Sequence, residues 1–266
     1  MSKAAICIGL VACVAASAQV WAADILPPAP SLDSPALRGR FEAESGAYLR
    51  ADAGFGLLRA RKAEANFPTP LPGFAYDAEQ VGSAPMLGLG AGYQFNEYVR
   101  ADITGDYRGS ARYTARASYV DAPNCGARCS DVYVGAFRNA ALMANVYGEL
   151  GSWFDVTPFV GLGLGAARTQ TAPLSLAAGN GHGQGEAPGA SRTHLAFALM
   201  TGASWDLTQR IKIEASYRYM TLGSAQSGAI ACAAPTGPCA GQIQQIGLAS
   251  HDLRIGLRYG LADGAL

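Results

Sequence analysis

Charge is scarce in this chain of 266 residues: only 15% are Asp, Glu, Lys or Arg, and 20 bases balance 20 acids. That balance argues against a nucleic-acid-binding surface, which needs a basic excess to displace counterions. Histidine is scarcer still, at three residues, which leaves little material for a general base or a metal centre. Past the N-terminus there is no long apolar run, and a membrane-spanning helix needs about 20 apolar residues. Cysteine is sparse, confined to Cys7, Cys13, Cys125, Cys129, Cys232 and Cys239. Glycine is plentiful, at 33 residues, and half of the chain is hydrophobic. Abundant Gly and Ala with scattered aromatics suit a barrel wall better than a Leu-rich soluble core.

The first 22 residues read as a secretory signal. Lys3 supplies the positive n-region, Ala4 to Ala18 the apolar h-region, and Val20-Trp21-Ala22 a small-x-small cleavage site before Ala23. Their removal takes away one Lys and no acid, leaving 19 bases against 20 acids. Residues 23–46, opening Ala23-Asp24-Ile25-Leu26-Pro27-Pro28, are expected to form a proline-rich periplasmic lead-in. Cys7 and Cys13 leave with the signal. The other four thiols, in an oxidising compartment, are expected to form two disulfides, with three connectivities open. Local pairing, Cys125 with Cys129 and Cys232 with Cys239, is preferred because each pair falls in one loop. Neither spacing matches a C-x₂-C zinc knuckle.

Three stretches place an apolar residue at every other position and charged residues between. Val99, Ala101, Ile103 and Tyr107 alternate with Arg100, Asp102, Asp106 and Arg108. Ile211, Ile213, Ala215 and Tyr217 alternate with Lys212, Glu214 and Arg218. Leu253, Ile255, Leu257 and Tyr259 alternate with Asp252, Arg254 and Arg258. A period of two is that of a strand with one greasy and one ionic face. Five further segments, near 47–57, 85–95, 139–150, 158–167 and 194–205, show the same period. The expected connections strictly alternate. Asn96-Glu97, Gly151–Thr157 and Asp206–Gln209 are short, whereas Leu58–Ala84, Gly109–Arg138, Arg168–Thr193 and Thr221–Ala249 are long. Behind an export signal, this pattern predicts an all-β fold: an eight-stranded antiparallel transmembrane β-barrel over residues 47–259, with short periplasmic turns, four long outer loops and a tail at 260–266. The stretch Arg112–Val120 keeps the phase of the third strand and is expected to continue it, with Asp131–Val134 returning beside it. Phe95, Tyr98, Trp153, Phe154, Phe159, Trp205 and Tyr259 are expected to form an interfacial girdle at the short turns.

The face assignment sends Arg50, Arg100, Arg108, Lys212, Arg218, Arg254 and Arg258 into the lumen with Asp52, Asp102, Asp106, Glu149, Glu214 and Asp252. These charges either pair into a plug or line an ion path. An eight-stranded barrel is just wide enough for side chains to fill it, which favours the plug. Gly88, Gly90 and Gly92, with Gly161, Gly163 and Gly165, leave room for long arginines. Catalysis finds no support. Ser250-His251-Asp252 offers the residue types of a triad, but neighbours on a strand point to opposite faces. His182 lies in a glycine-rich run, and Gly88–Gly92 lacks the spacing of a phosphate loop. The third long loop, with Glu186 as its one acid, reads as mobile and hydrated. No cofactor is expected.

The whole mature chain resembles the small outer-membrane β-barrel proteins of Gram-negative bacteria, the opacity-protein-like surface antigens, particularly their α-proteobacterial branch. The residues that carry this are Ala22–Pro28, Asn145-Val146-Tyr147-Gly148, Thr157–Gly163 and Ser250–Tyr259. The resemblance implies a non-enzymatic barrel in the cell outer membrane that serves envelope integrity or surface contact and adhesion through its loops. A narrow porin-like channel for small solutes is the alternative. Expected partners are outer-membrane lipid and lipopolysaccharide, the barrel insertion machinery and a host or surface ligand at the long loops, with no nucleic acid. The family's barrels usually end on an aromatic, whereas Gly260–Leu266 follows Tyr259 here.

Overall fold

The computed structural model describes residues 45–68, 71–121, 128–178, 184–232 and 241–261. The expected signal and most of the lead-in, Cys125, His182, Cys239 and residues 262–266 lie outside the described residues. Among the described residues every regular element is a strand: β1 (Gly46–Asn66), β2 (Ala75–Val81), β3 (Ser83–Gln94), β4 (Val99–Tyr119), β5 (Cys129–Glu149), β6 (Val156–Thr171), β7 (Leu174–Ala178), β8 (Gln184–Ala187), β9 (Ala190–Asp206), β10 (Ile211–Gln226), β11 (Ala231–Cys232) and β12 (Ile243–Gly260). Eight of them close a ring in the order β1, β3, β4, β5, β6, β9, β10, β12 and back to β1, antiparallel throughout. Tyr48 of β1 faces Gly260 on one side and Gly92 on the other, which is the seam of closure.

Local chemistry makes the short turns. Asn96 Oδ1 accepts the amides of Tyr98 and Val99, both at 2.9 Å, between β3 and β4. Between β9 and β10, Thr208 Oγ1 accepts the amides of Arg210 at 3.2 Å and Ile211 at 3.0 Å. Such side-chain caps stand in for a backbone turn. Between β5 and β6, Phe154 and Asp155 have φ of 51° and 62°, and Trp153 and Val156 exchange backbone bonds of 2.8 and 3.0 Å. Two successive left-handed residues are what a tight hairpin with the strands' own twist requires.

At the opposite end the strands run on. β4 and β5 are each 21 residues long, about twice the 9–11 residues a tilted strand needs to cross a membrane. The expected long loops are therefore in large part strand. β1 continues to Asn66, β10 to Gln226, and β12 begins at Ile243. β2 pairs with the outer part of β4, and β7, β8 and β11 continue the sheet from β5. The third long loop, expected to be mobile, contributes β7 and β8 on either side of its undescribed residues 179–183.

The phase expected for Arg112–Val120 is also corrected. In β4 the even residues Arg100 to Arg108 point inward and the odd ones outward, but beyond an extra residue between Arg108 and Ala111 the parity reverses. Ala111, Tyr113, Ala115, Ala117 and Tyr119 then face in, and Arg112 and Arg116 face out. Register shifts between Ala60 and Lys62 in β1 and between Thr221 and Gly223 in β10 lie near the same level. These are β-bulges, which insert one residue and swap the faces. Below them, the wall exposes Leu87, Leu89, Ile103, Leu142, Leu162, Leu195 and Ile255. Above them, Tyr113, Tyr133, Phe137, Leu174, Leu176 and Ile246 pack an apolar core inside the outer sheets, joined by Leu58 just below the β1 bulge and Leu248 beside it. The same cluster continues into the membrane tier through Met143, Tyr147, Phe159, Ala198 and Met200, beside the charged groups.

A charged lumen as the candidate functional site

Within the membrane tier the inward charged positions come from β1, β4, β5, β10 and β12, and six arginines meet six carboxylates there. Arg50, Asp52, Arg100, Asp102, Asp106, Arg108, Glu149, Glu214, Arg218, Asp252, Arg254 and Arg258 are all buried. At the short-turn end, Arg100 Nε donates to Glu149 at 2.9 Å, and its Nη2 lies 3.2 Å from Glu214. Arg258 lies 3.3 Å from Glu149 and 3.2 Å from Glu214. Arg50 forks between Asp52 and Asp102, each at 2.8 Å, and donates to the Tyr147 hydroxyl at 3.0 Å. Nearer the outer tier, Arg218 bridges Asp106 at 2.6 Å and Asp252 at 2.9 Å, and Arg108 reaches Asp252 at 2.8 Å. Arg254 joins the two groups, 2.7 Å from Asp52 and 3.5 Å from Asp106. The planar guanidinium fork suits such shared, bidentate contacts, which a lysine could not reproduce.

Neutral groups complete the network. Arg100 stacks 3.9 Å from the Tyr147 ring centroid and 4.8 Å from that of Phe159. Tyr48 donates to Asp102 at 3.1 Å, and Asn145 donates to the other oxygen of that carboxylate at 2.7 Å. Phe159 is 2% exposed, so it belongs to the lumen and not to the girdle where it was expected. Phe95, Tyr98, Trp153, Phe154, Trp205 and Tyr259 are exposed at the short-turn end. A parity count from Gly161 would have put Phe159 inside, and the same count from Arg50 finds Tyr48. Lys212 stands apart: it is partly exposed and pairs with Asp206 at 3.0 Å beside the β9–β10 turn.

Glycines hold the space for these side chains. A Cβ on Gly88 would overlap the Asp106 carboxylate, one on Gly256 the Asp52 carboxylate, and one on Gly56 the Arg108 guanidinium. The remaining sequence candidates do not converge. Ser250 and Asp252 are buried and bonded to each other, while His251 turns to the other face and meets the Tyr217 hydroxyl at 2.6 Å. His194 lies on β9 beside Ser224, 3.3 Å away. Cys129 opens β5 and Cys232 ends β11. No cluster of His, Cys, Asp and Glu suited to a metal ion occurs among the described residues.

A closed antiparallel ring, apolar on its outer wall and ionic within, defines an outer-membrane β-barrel. The chain belongs to the outer membrane protein beta-barrel domain family, whose model matches residues 8–260, and its place is the cell outer membrane. A protein of Brucella suis biovar 1 (strain 1330), named as uncharacterized, is 30% identical over 286 residues, covering 94% of this chain and 95% of its own length. One of Brucella abortus (strain 2308), also named as uncharacterized, is 29% identical with the same coverage. The outer membrane protein OprG from Pseudomonas aeruginosa shares the fold at 10% identity, with a TM-score of 0.51 over 82% of this chain and 97% of its own. Neisserial surface protein A is 16% identical, with a TM-score of 0.47 over 82% and 98%.

Proposed function

We propose that this protein is a non-enzymatic barrel, closed to solutes, which contributes to envelope integrity and offers its outer sheets for surface contact or adhesion. The observation that carries the reading is the lumen, where each of the six arginines has a carboxylate partner within 3.2 Å. Above it, the apolar core around Tyr113, Tyr133 and Phe137 occupies the same axis. A solute path would have to break both. Strands that run well past the membrane, stiffened by β2, β7, β8 and β11, support a role for the outer end in contact with other surfaces. Lipid and lipopolysaccharide, the insertion machinery and a surface ligand at that end are the partners this reading calls for. The same reading keeps the local pairing expected from the sequence, Cys125 with Cys129 and Cys232 with Cys239, as two disulfides of the outer end. Purified protein in a planar bilayer should conduct at background level. A steady, ion-selective conductance would overturn the reading in favour of a narrow channel.

A further inference from the structure

The arginines of this chain fall into two populations. Those of the lumen are all paired. Arg138 on β5 and Arg168 on β6 are instead exposed on the outward face, as is Arg112 of β4, which faces Ala136 two residues from Arg138, and among the described residues none of the three forms an ion pair with a carboxylate. The register sets Ala140 opposite Arg168 and Arg138 opposite Gln170, so the two guanidinium stems are diagonal neighbours roughly 7–8 Å apart. Arg168 Nη2 donates to Ser191 Oγ of β9 at 3.1 Å, which steadies it in place. Two adjacent cations with no acid between them repel each other unless an anion joins them, and guanidinium forks match phosphate oxygens.

Directly below, the wall dips into a cavity of about 570 Å³ on the lipid-facing side, lined by Ala144, Val146, Leu162, Leu164, Phe197 and Leu199 among others. Leu164 lies four residues down β6 from Arg168, about 13 Å at strand rise, which is within the length of an extended acyl chain. A free anion would have no use for this groove, and a plain hydrocarbon none for the arginines. We infer that Arg138, Arg168 and the groove beneath them form one lipid site for a phosphate-bearing, multiply acylated lipid of the outer leaflet, the chemistry of the lipid A part of lipopolysaccharide. The phosphate sits between the two guanidinium groups and an acyl chain lies along β5, β6 and β9. The site rests on the functional reading above, which calls for lipopolysaccharide as a partner, and gives that partner a place on the wall; it depends on the long-strand end facing outward and is independent of whether the lumen conducts.

The test is native mass spectrometry of the detergent-solubilised protein titrated with purified diphosphoryl lipid A. The double variant Arg138→Ala, Arg168→Ala should lose at least tenfold in affinity. Arg59→Ala with Arg61→Ala, which removes the same charge from exposed positions on β1, away from β5 and β6 in the ring, should stay within twofold of wild type. Lipid A stripped of its phosphates should bind the wild type at least tenfold more weakly, and Ala144→Phe, which fills the groove, should also weaken binding. Unheated gel migration should match wild type for both arginine doubles, since all four side chains are exposed. Equal loss in the control double, equal binding of the stripped lipid, or equal binding of phosphatidylglycerol would each overturn the assignment.

Discussion

Arg100 shows how much a single side chain holds in this molecule. It is fully buried, faces Glu149, Glu214 and Asp102, and stacks on Tyr147 and Phe159. Removing it leaves Glu149 with Arg258, and Glu214 with Arg258 and the longer contact to Arg50, and breaking one side of a buried ion pair costs about 3–5 kcal/mol. Arg100→Ala should therefore lower the thermal midpoint in detergent markedly. Arg100→Lys should fall between it and wild type, because lysine keeps the charge but loses the fork and most of the stacking. Ala101→Val, one residue away on the lipid face, should change little. The inward charges were legible from parity alone, since each lies an even number of residues from its neighbours along its strand. Partnerships were not. That Arg254 links Asp52 to Asp106, or that Asp252 serves two arginines, depends on the stagger between strands.

At the scale of the element, the bulges decide what each strand shows to lipid. Alternation in β4 is unbroken as letters, with apolar odd residues from Val99 to Tyr119, yet the inserted residue near Gly109 turns the second half over. This is why the outer strands read as loops: their inward residues carry the apolar character that the belt carries outward, and in β1, β4 and β10 no single face assignment spans both halves. The third loop was hidden for another reason. Its Gly and Ala content gives no periodic signal, and β7 and β8 gain order by pairing with β5 and each other. Gly223 tests the bulge in β10. Its φ is 73°, and a Cβ there would overlap His194 of β9. A left-handed alanine costs about 1–2 kcal/mol before the overlap is counted. Gly223→Ala should speed proteolysis of the outer part of β10 and leave the membrane tier intact, which limited digestion followed by mass mapping would read. The same mapping on non-reduced protein should link Cys125 with Cys129 and Cys232 with Cys239. A link between the two loops would sink the local pairing.

On one set of strands the molecule joins a charged belt in the membrane tier to an apolar cluster that fills the outer tier and reaches down beside the belt, and the two are held by different physics. The membrane tier keeps water out by lipid on its wall and is tied across its centre by paired charge. The outer tier stands in water and is held by buried apolar side chains, as in a soluble sheet protein. β5 passes through both: Tyr133 and Phe137 fill the outer core at 0% and 1% exposure, and Asn145, Tyr147 and Glu149 join the charged one. Removing an aromatic side chain from such a core costs about 3–5 kcal/mol. If the tiers are energetically separate, Tyr133→Ala with Phe137→Ala should open the outer sheets while the ring below stays closed. Amide hydrogen exchange reads this directly: residues 129–137 of β5 should lose protection and residues 139–149 should retain it. Loss of protection along the entire strand would mean the tiers fold as one unit. Loss in the outer half alone would show that the ionic belt closes the barrel by itself, leaving the outer tier free to vary with whatever surface it meets.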